Sequence, residues 1–84
     1  MSSVDVETPS DATTVLIGRQ VLRALGTPAK LFKVKVHPVG GDRYRVNVLV
    51  GPDHASARIT DSFFLSADGK GNILNSSPEI VRQY

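Results

Sequence analysis

Hydrophobic residues recur every three to four positions in the first third of the chain, the period of an amphipathic helix. This pattern predicts a helix over about residues 9–25, with Arg19 and Arg23 on its polar face. Thr8 can cap the helix and Pro9 suits its first position, while Gly26 is expected to end it. The apolar half of the wheel holds Val15, Ile17, Gly18, Val21, Leu22, Ala24 and Leu25.

From residue 30 the period changes to two, which is typical of strands with one buried face. Strands are expected over about residues 30–37, 43–50, 55–66 and 71–75. The turns between them are short, and because a parallel crossover needs a dozen or more residues, they predict an antiparallel meander. One N-terminal helix packed on this four-stranded sheet gives a two-layer α+β sandwich. Residues 1–7 have no periodicity, so we expect a disordered tail before a single domain over residues 8–84.

Strict alternation also predicts which side chains face the helix. Phe32, Val34 and Val36 would point inward from the first strand, and Leu31 and His37 outward. The inward side chains of the second strand would be Tyr44, Val46, Val48 and Val50. Those of the third strand would be Ala57, Ile59, Phe63 and Leu65. The expected cross-strand pairs are Val34 with Val46, Val46 with Ile59, and Leu65 with Ile73.

This register brings basic side chains together on the outward face. Lys35 would lie beside Arg45, an arrangement that disfavours pairing by about 0.2–1 kcal/mol. These basic residues have two possible roles. They form either the solvated side of a sheet, where charges discourage edge-to-edge aggregation, or a face that binds an anion or a partner. Aromatic residues for base stacking are missing from its centre, which disfavours nucleic acid. The face consists of Lys33, Lys35, Arg43, Arg45 and Arg58.

A second outward feature is apolar, since Phe64 would face Leu74 across the last hairpin. We predict that these two residues form an interface, and three explanations for their exposure remain open. Ile80 and Val81 could fold back over them, or a second copy of the chain could cover them. Alternatively, a bulge near Asp61–Ser62 could shift the alternation, because Asp61 otherwise faces the core beside Tyr44.

Composition narrows the class of protein. The 84 residues include 40% hydrophobic and 21% charged residues, as in an ordinary soluble domain. Without cysteine the chain has no disulfide or thiolate metal site. The polar, acidic start predicts no signal peptide and no apolar run is long enough for a membrane span, so we expect a cytoplasmic protein that does not contact membrane. Positive charge concentrates in residues 30–58, which carry six Lys or Arg against two Asp.

Residues suited to catalysis are few. His54 follows Asp53 in a turn, but a nucleophile at a meaningful spacing is missing. His37 and His54 have no third ligand near them, so the sequence predicts no metal site and no cofactor. We therefore expect a protein that is not an enzyme.

Two short stretches resemble known families. In "FFLSADGKGNIL", Asp68, Gly71 and Ile73 have the Asp-x-x-Gly-x-Ile spacing of PepSY-like small α+β domains. That resemblance implies a non-catalytic binding or regulatory role and marks no site residues. "VGPDHASARITDSFFL" is similar to part of the double-stranded-RNA-binding domain, whose phosphate-contacting second helix has no counterpart in "SSPEIVRQY". The latter family is therefore rejected.

The sequence thus predicts a small non-enzymatic binding module. Its outward sheet face or its edge would contact a protein partner or a second copy as a homodimer. The alternative is binding of nucleic acid or another polyanion through the five basic residues.

Overall fold

The computed structural model describes residues 12–84, in which one helix precedes a four-stranded antiparallel sheet. The strands lie in the order β1-β2-β3-β4, so each pairs with its neighbour in sequence and the predicted meander is confirmed. The elements are α1 (Ala12–Leu25), β1 (Leu31–Gly40), β2 (Arg43–Val50), β3 (Arg58–Ala67) and β4 (Ile73–Ser77). The predicted cap at Thr8, the first turn from Pro9 and the tail over residues 1–7 fall outside the described residues.

The end of α1 lies where the sequence placed it. Gly26 has a φ of +91°, and its N–H donates to the Leu22 carbonyl oxygen at 2.8 Å. This left-handed residue ends the helix because its lack of a Cβ removes the usual steric penalty. No helix in residues 12–84 is long and apolar enough to cross a membrane.

The core lies between α1 and one face of the sheet. Val34, Val36, Val46 and Val48 are all 0% exposed, which confirms that these four valines of β1 and β2 face the helix. Thr14 is buried on the helix, whereas two residues predicted for its apolar half, Val15 and Ala24, are half-buried and exposed. The buried hydrophobic cluster comprises Ile17, Val21, Leu22, Leu25, Val34, Val36, Val46, Val48, Phe63, Leu65 and Ala67.

A bulge at the start of β1 reverses the predicted positions of two side chains. Leu31 pairs with Val50 and Lys33 with Leu49, so Phe32 is an extra residue on its strand. Leu31 packs against the core, whereas Phe32 does not belong to the core cluster. The prediction that Phe32 points inward and Leu31 outward was therefore wrong.

A second bulge lies in β3. Val48 pairs with Asp61 and Leu49 with Ile59, which leaves Thr60 as the extra residue. Ile59 is 56% exposed, so its predicted place in the core was wrong. A bulge was one of the three explanations for the exposed Phe64, but this bulge precedes Asp61 and leaves the alternation from Asp61 to Phe64 unchanged, so it does not account for the exposed ring.

All three predicted registers differ from the observed ones. Val34 pairs with Val48 rather than Val46, because β1 continues to Gly40 and leaves only a two-residue turn. Val46 pairs with Phe63, since β3 begins at Arg58 instead of residue 55. In the third hairpin Ile73 pairs with Ala67 instead of Leu65.

The residues after β4 pack on the helix side of the sheet, and we call residues 79–84 the strap. Ile80 contacts the core cluster, and the N–H groups of Gln83 and Tyr84 donate to the Leu25 carbonyl oxygen at 2.8 and 3.1 Å. The Tyr84 hydroxyl donates to Asp61 Oδ2 at 3.0 Å. The strap therefore does not cover Phe64, which rules out the first explanation for the exposed ring.

The observed pairs also settle the surroundings of Asp61. It pairs with the buried Val48, whereas Tyr44 pairs with Pro38 and Leu65. Asp61 therefore faces the helix side as expected, but its tyrosine partner is Tyr84 and not Tyr44.

Candidate binding surface

The sheet face opposite α1, here called the open face, is built from four cross-strand rows. Four of the five predicted basic residues lie on it, namely Lys33, Lys35, Arg43 and Arg45. The rows are Lys33–Leu49–Ile59, Lys35–Asn47–Ser62, His37–Arg45–Phe64 and Arg43–Ser66–Asn75.

Arg58 does not belong to the open face. It pairs with Val50, whose other partner is Leu31, and Leu31 packs against the core. The bulge at Thr60 accounts for this position, because it reverses the alternation for the residues that precede it in β3. The prediction that Arg58 shares a face with the other four was wrong.

The two lysines of β1 are already engaged. Lys33 is only 7% exposed, and its Nζ lies 4.9 Å from the centroid of the Phe32 ring. Lys33 and Lys35 each have an interaction partner. Lys35 pairs with Asn47, whereas Arg45 pairs with His37, so the predicted Lys35–Arg45 repulsion is absent. The exposed positive charge of the open face is therefore concentrated at Arg43 and Arg45, beside the C-terminal end of β1.

Arg45 and Phe64 form the central feature of that end. They are direct cross-strand partners, and the Arg45 guanidinium carbon lies 5.3 Å from the Phe64 ring centroid. An exposed cation–π contact of this kind contributes about 0.5–1 kcal/mol. Phe64 nevertheless remains 53% exposed, so apolar surface is still available beside the exposed Arg45 guanidinium, whose N–H groups are hydrogen-bond donors.

An open groove of about 660 Å³ adjoins this pair. Its wall combines the Phe64 ring with the charged side chains of Asp42 and Arg43 and the polar side chains of Asn75 and Ser77. The alternation pattern did not predict this groove, because it depends on the register that sets β4 beside Phe64.

Leu74 lies apart from Phe64. Asn75 pairs with Ser66 and Ile73 with Ala67, so Leu74 is an extra residue in a bulge of β4. The β4 partner of Phe64 is Ser77, three residues further along the strand. Leu74 is 59% exposed, yet the expectation that the two apolar residues face each other was wrong.

The titratable groups singled out in the sequence lie mainly in turns. Asp53 accepts the Ser56 N–H at 2.9 Å, the role expected of an aspartate in a turn. The His54 ring lies 6.0 Å from that of Phe32, whereas His37 is on β1. In residues 12–84 no group of three or more His, Cys, Asp or Glu is arranged to hold a metal ion.

Asp68 organises the turn between β3 and β4. Its Oδ1 accepts the N–H groups of Lys70 and Asn72, and its Oδ2 accepts the Asn72 side-chain amide. The Asn72 side-chain bond is the main reason that the pKa of Asp68 lies below its ordinary value. Gly71 has a φ of +80° and lies against Leu16, so the Asp-x-x-Gly-x-Ile spacing corresponds here to a turn packed on α1.

No protein-family model, curated protein sequence or solved structure significantly matches this chain.

Proposed function

We propose that the protein is a non-enzymatic binding module whose open face contacts an acidic patch on a protein partner. The observation that carries this proposal is the Arg45–Phe64 pair, in which a ring in the middle of a sheet is left 53% exposed. Aromatic and arginine side chains dominate the binding energy of protein interfaces. Covering the exposed part of Phe64 would contribute about 1 kcal/mol.

The charge around the pair supports an acidic partner. Arg43 and Arg45 are exposed at this end of the open face, and Asp42 is the acidic residue in the adjoining groove. Guanidinium groups bind carboxylates through two parallel hydrogen bonds, which gives orientation as well as attraction. A patch of Asp or Glu with a neighbouring apolar side chain would match both parts of the surface.

Polyanion binding stays the alternative, but the arrangement supports it less. Arg58 lies on the helix side and Lys33 is buried, so two of the five basic residues proposed for it are not available on the open face. Proteins that bind single-stranded nucleic acid combine a basic groove with several stacking aromatics, and Phe64 is the exposed aromatic among the cross-strand rows of the open face.

The chain offers a matched pair of variants for the test, Phe64→Ser and Ile59→Ser. Both residues are apolar, lie on the open face and are exposed to a similar extent, 53% and 56%. Immobilised wild-type protein and both variants would be used to isolate binding proteins, and a candidate partner would then be purified and titrated calorimetrically. We expect Phe64→Ser to weaken binding by about tenfold or more, as at a central interface residue, and Ile59→Ser to change it little.

Equal binding by the two variants would contradict the assignment of the Arg45–Phe64 pair as the centre of the interface. A gel-shift titration with an oligonucleotide at low and moderate salt tests the alternative. Binding that falls steeply with salt would favour the polyanion function instead.

A further inference from the structure

The two edges of the sheet described over residues 12–84 differ in their capacity to pair with another strand. β1 has bulges at Phe32 and Val39, and it carries Lys33, Lys35 and Pro38. Bulges, lysines and proline are the features with which natural sheets block their edges. β4 also has a bulge, at Leu74, but it reads Ile-Leu-Asn-Ser-Ser and has neither a charged residue nor a proline.

The outer side of β4 is open. Within residues 12–84 its backbone pairs with β3 alone, and Leu74, Asn75 and Ser77 are exposed. A strand edge with free N–H and C=O groups is a template for an added strand.

Hollows lie on both faces of β4. The groove beside Phe64 is lined by Asn75 and Ser77 on the open face. On the helix side a hollow of about 450 Å³ is lined by Ile73, Ser76 and Ile80, among others. Successive side chains of a strand point to opposite faces, so an added strand would place alternate side chains over these two hollows.

We propose that a second copy of this chain binds at this edge, through antiparallel pairing of the two β4 strands about a two-fold axis. An overlap centred on Asn75 places the two Asn75 residues opposite each other and Ser76 opposite Leu74, the bulged residue. None of the paired residues is charged, and Glu79 is the acidic residue that lines the hollow beside them. The same operation on β1, centred on Lys35, would set the two Lys35 residues opposite each other, and like charges there are unfavourable.

The homodimer makes one continuous sheet and leaves the open face of each copy accessible. Its formation therefore does not depend on the proposed protein-binding function, and either can fail without the other. An isologous pair of this type is also the most common symmetry of soluble oligomers.

The test changes Asn75, the residue that would lie opposite its own copy across the two-fold axis. Sedimentation velocity of the wild-type chain is measured at protein concentrations up to about 1 mM, which detects dissociation constants in the millimolar range. Asn75→Lys and Asn75→Asp each place like charges opposite each other, and we expect either to weaken dimerisation by about tenfold or more. An equimolar mixture of the two variants should restore the dimer, because Lys then faces Asp.

Val39→Lys is the matched control, since Val39 is 52% exposed on the other edge strand. It should dimerise like the wild type, and amide spectra of all variants would verify the fold. A wild-type chain that stays monomeric throughout overturns the proposal. A dimer that Asn75→Lys leaves intact, or that Val39→Lys abolishes, overturns it as well.

Discussion

Replacing Gly26 by alanine tests how the strap is anchored on α1. Gly26 has a φ of +91°, and a Cβ built on it would lie 2.5 Å from the Tyr84 carbonyl oxygen and 2.8 Å from its carbon. Both atoms belong to the backbone, so the strap itself must move. Gly26→Ala should therefore destabilise the protein in two ways, by conformational strain and by displacement of the strap.

The two contributions can be estimated from the structure. A left-handed backbone conformation costs a residue with a Cβ about 1–2 kcal/mol. Displacing the strap breaks the bonds from Gln83 and Tyr84 to the Leu25 carbonyl oxygen and the bond from Tyr84 to Asp61. Each of these three hydrogen bonds contributes about 0.5–1.5 kcal/mol. Because the region is partly exposed, we expect displacement of the strap to lower the free energy of unfolding by about 1–3 kcal/mol in total.

Gly41→Ala provides the matched control. Gly41 also has a positive φ, +57°, but a Cβ there would meet no atom within 4 Å. Backbone strain should therefore be the whole cost of Gly41→Ala, and it lowers the free energy of unfolding by about 1–2 kcal/mol. Urea unfolding followed by circular dichroism measures the free energy of unfolding of both variants. We expect Gly26→Ala to be less stable than Gly41→Ala by about 1–3 kcal/mol.

A shortened chain that stops at Arg82 completes the experiment. Without Gln83 and Tyr84 the Cβ at position 26 no longer meets the Tyr84 backbone, so the extra cost of Gly26→Ala should disappear. If the two alanine variants are equally stable in the full chain, or if their difference persists in the shortened chain, the proposed anchoring is wrong.

Two further predictions follow from side-chain burial and from the turn before β4. Phe63 is 4% exposed and Phe64 53%, so Phe63→Ala should cost about 3–5 kcal/mol and Phe64→Ala, which loses a half-buried ring and its contact with Arg45, about 1–2 kcal/mol in urea unfolding; similar losses would mean that the two rings do not point to opposite faces of the sheet. The pKa of Asp68 is lowered, chiefly by the Asn72 side chain, so its contribution to stability is present above about pH 4 and is lost as the pH falls through the lowered pKa. Thermal unfolding of Asp68→Asn and wild type should therefore converge on acidification, and a stability gap that stays constant with pH would contradict this.

Much of the fold follows from local signals in the sequence. Gly26 ends the helix because glycine tolerates a left-handed backbone, and the four buried valines of β1 and β2 face the core because side chains alternate along a strand. Short turns between consecutive strands require the antiparallel order. These features depend on neighbouring residues and could be predicted without the rest of the chain.

The composition of the open face could not be predicted in the same way. One extra residue at Thr60 moves Ile59 and Arg58 to the faces opposite those expected, and one at Phe32 brings Leu31 into the core. An alternating pattern contains no signal for such an insertion, since either register buries some apolar residues.

Asp61 shows why only the tertiary structure decides between registers. The strand pairing sets its carboxylate on the helix side of the sheet, opposite the buried Val48. Its Oδ2 accepts hydrogen bonds from the adjacent Thr60 hydroxyl and from the Tyr84 hydroxyl, which lies 23 residues away in the chain. The helix and the strand order are thus determined locally, whereas the bulges, the registers and the resulting binding surface depend on contacts between distant residues.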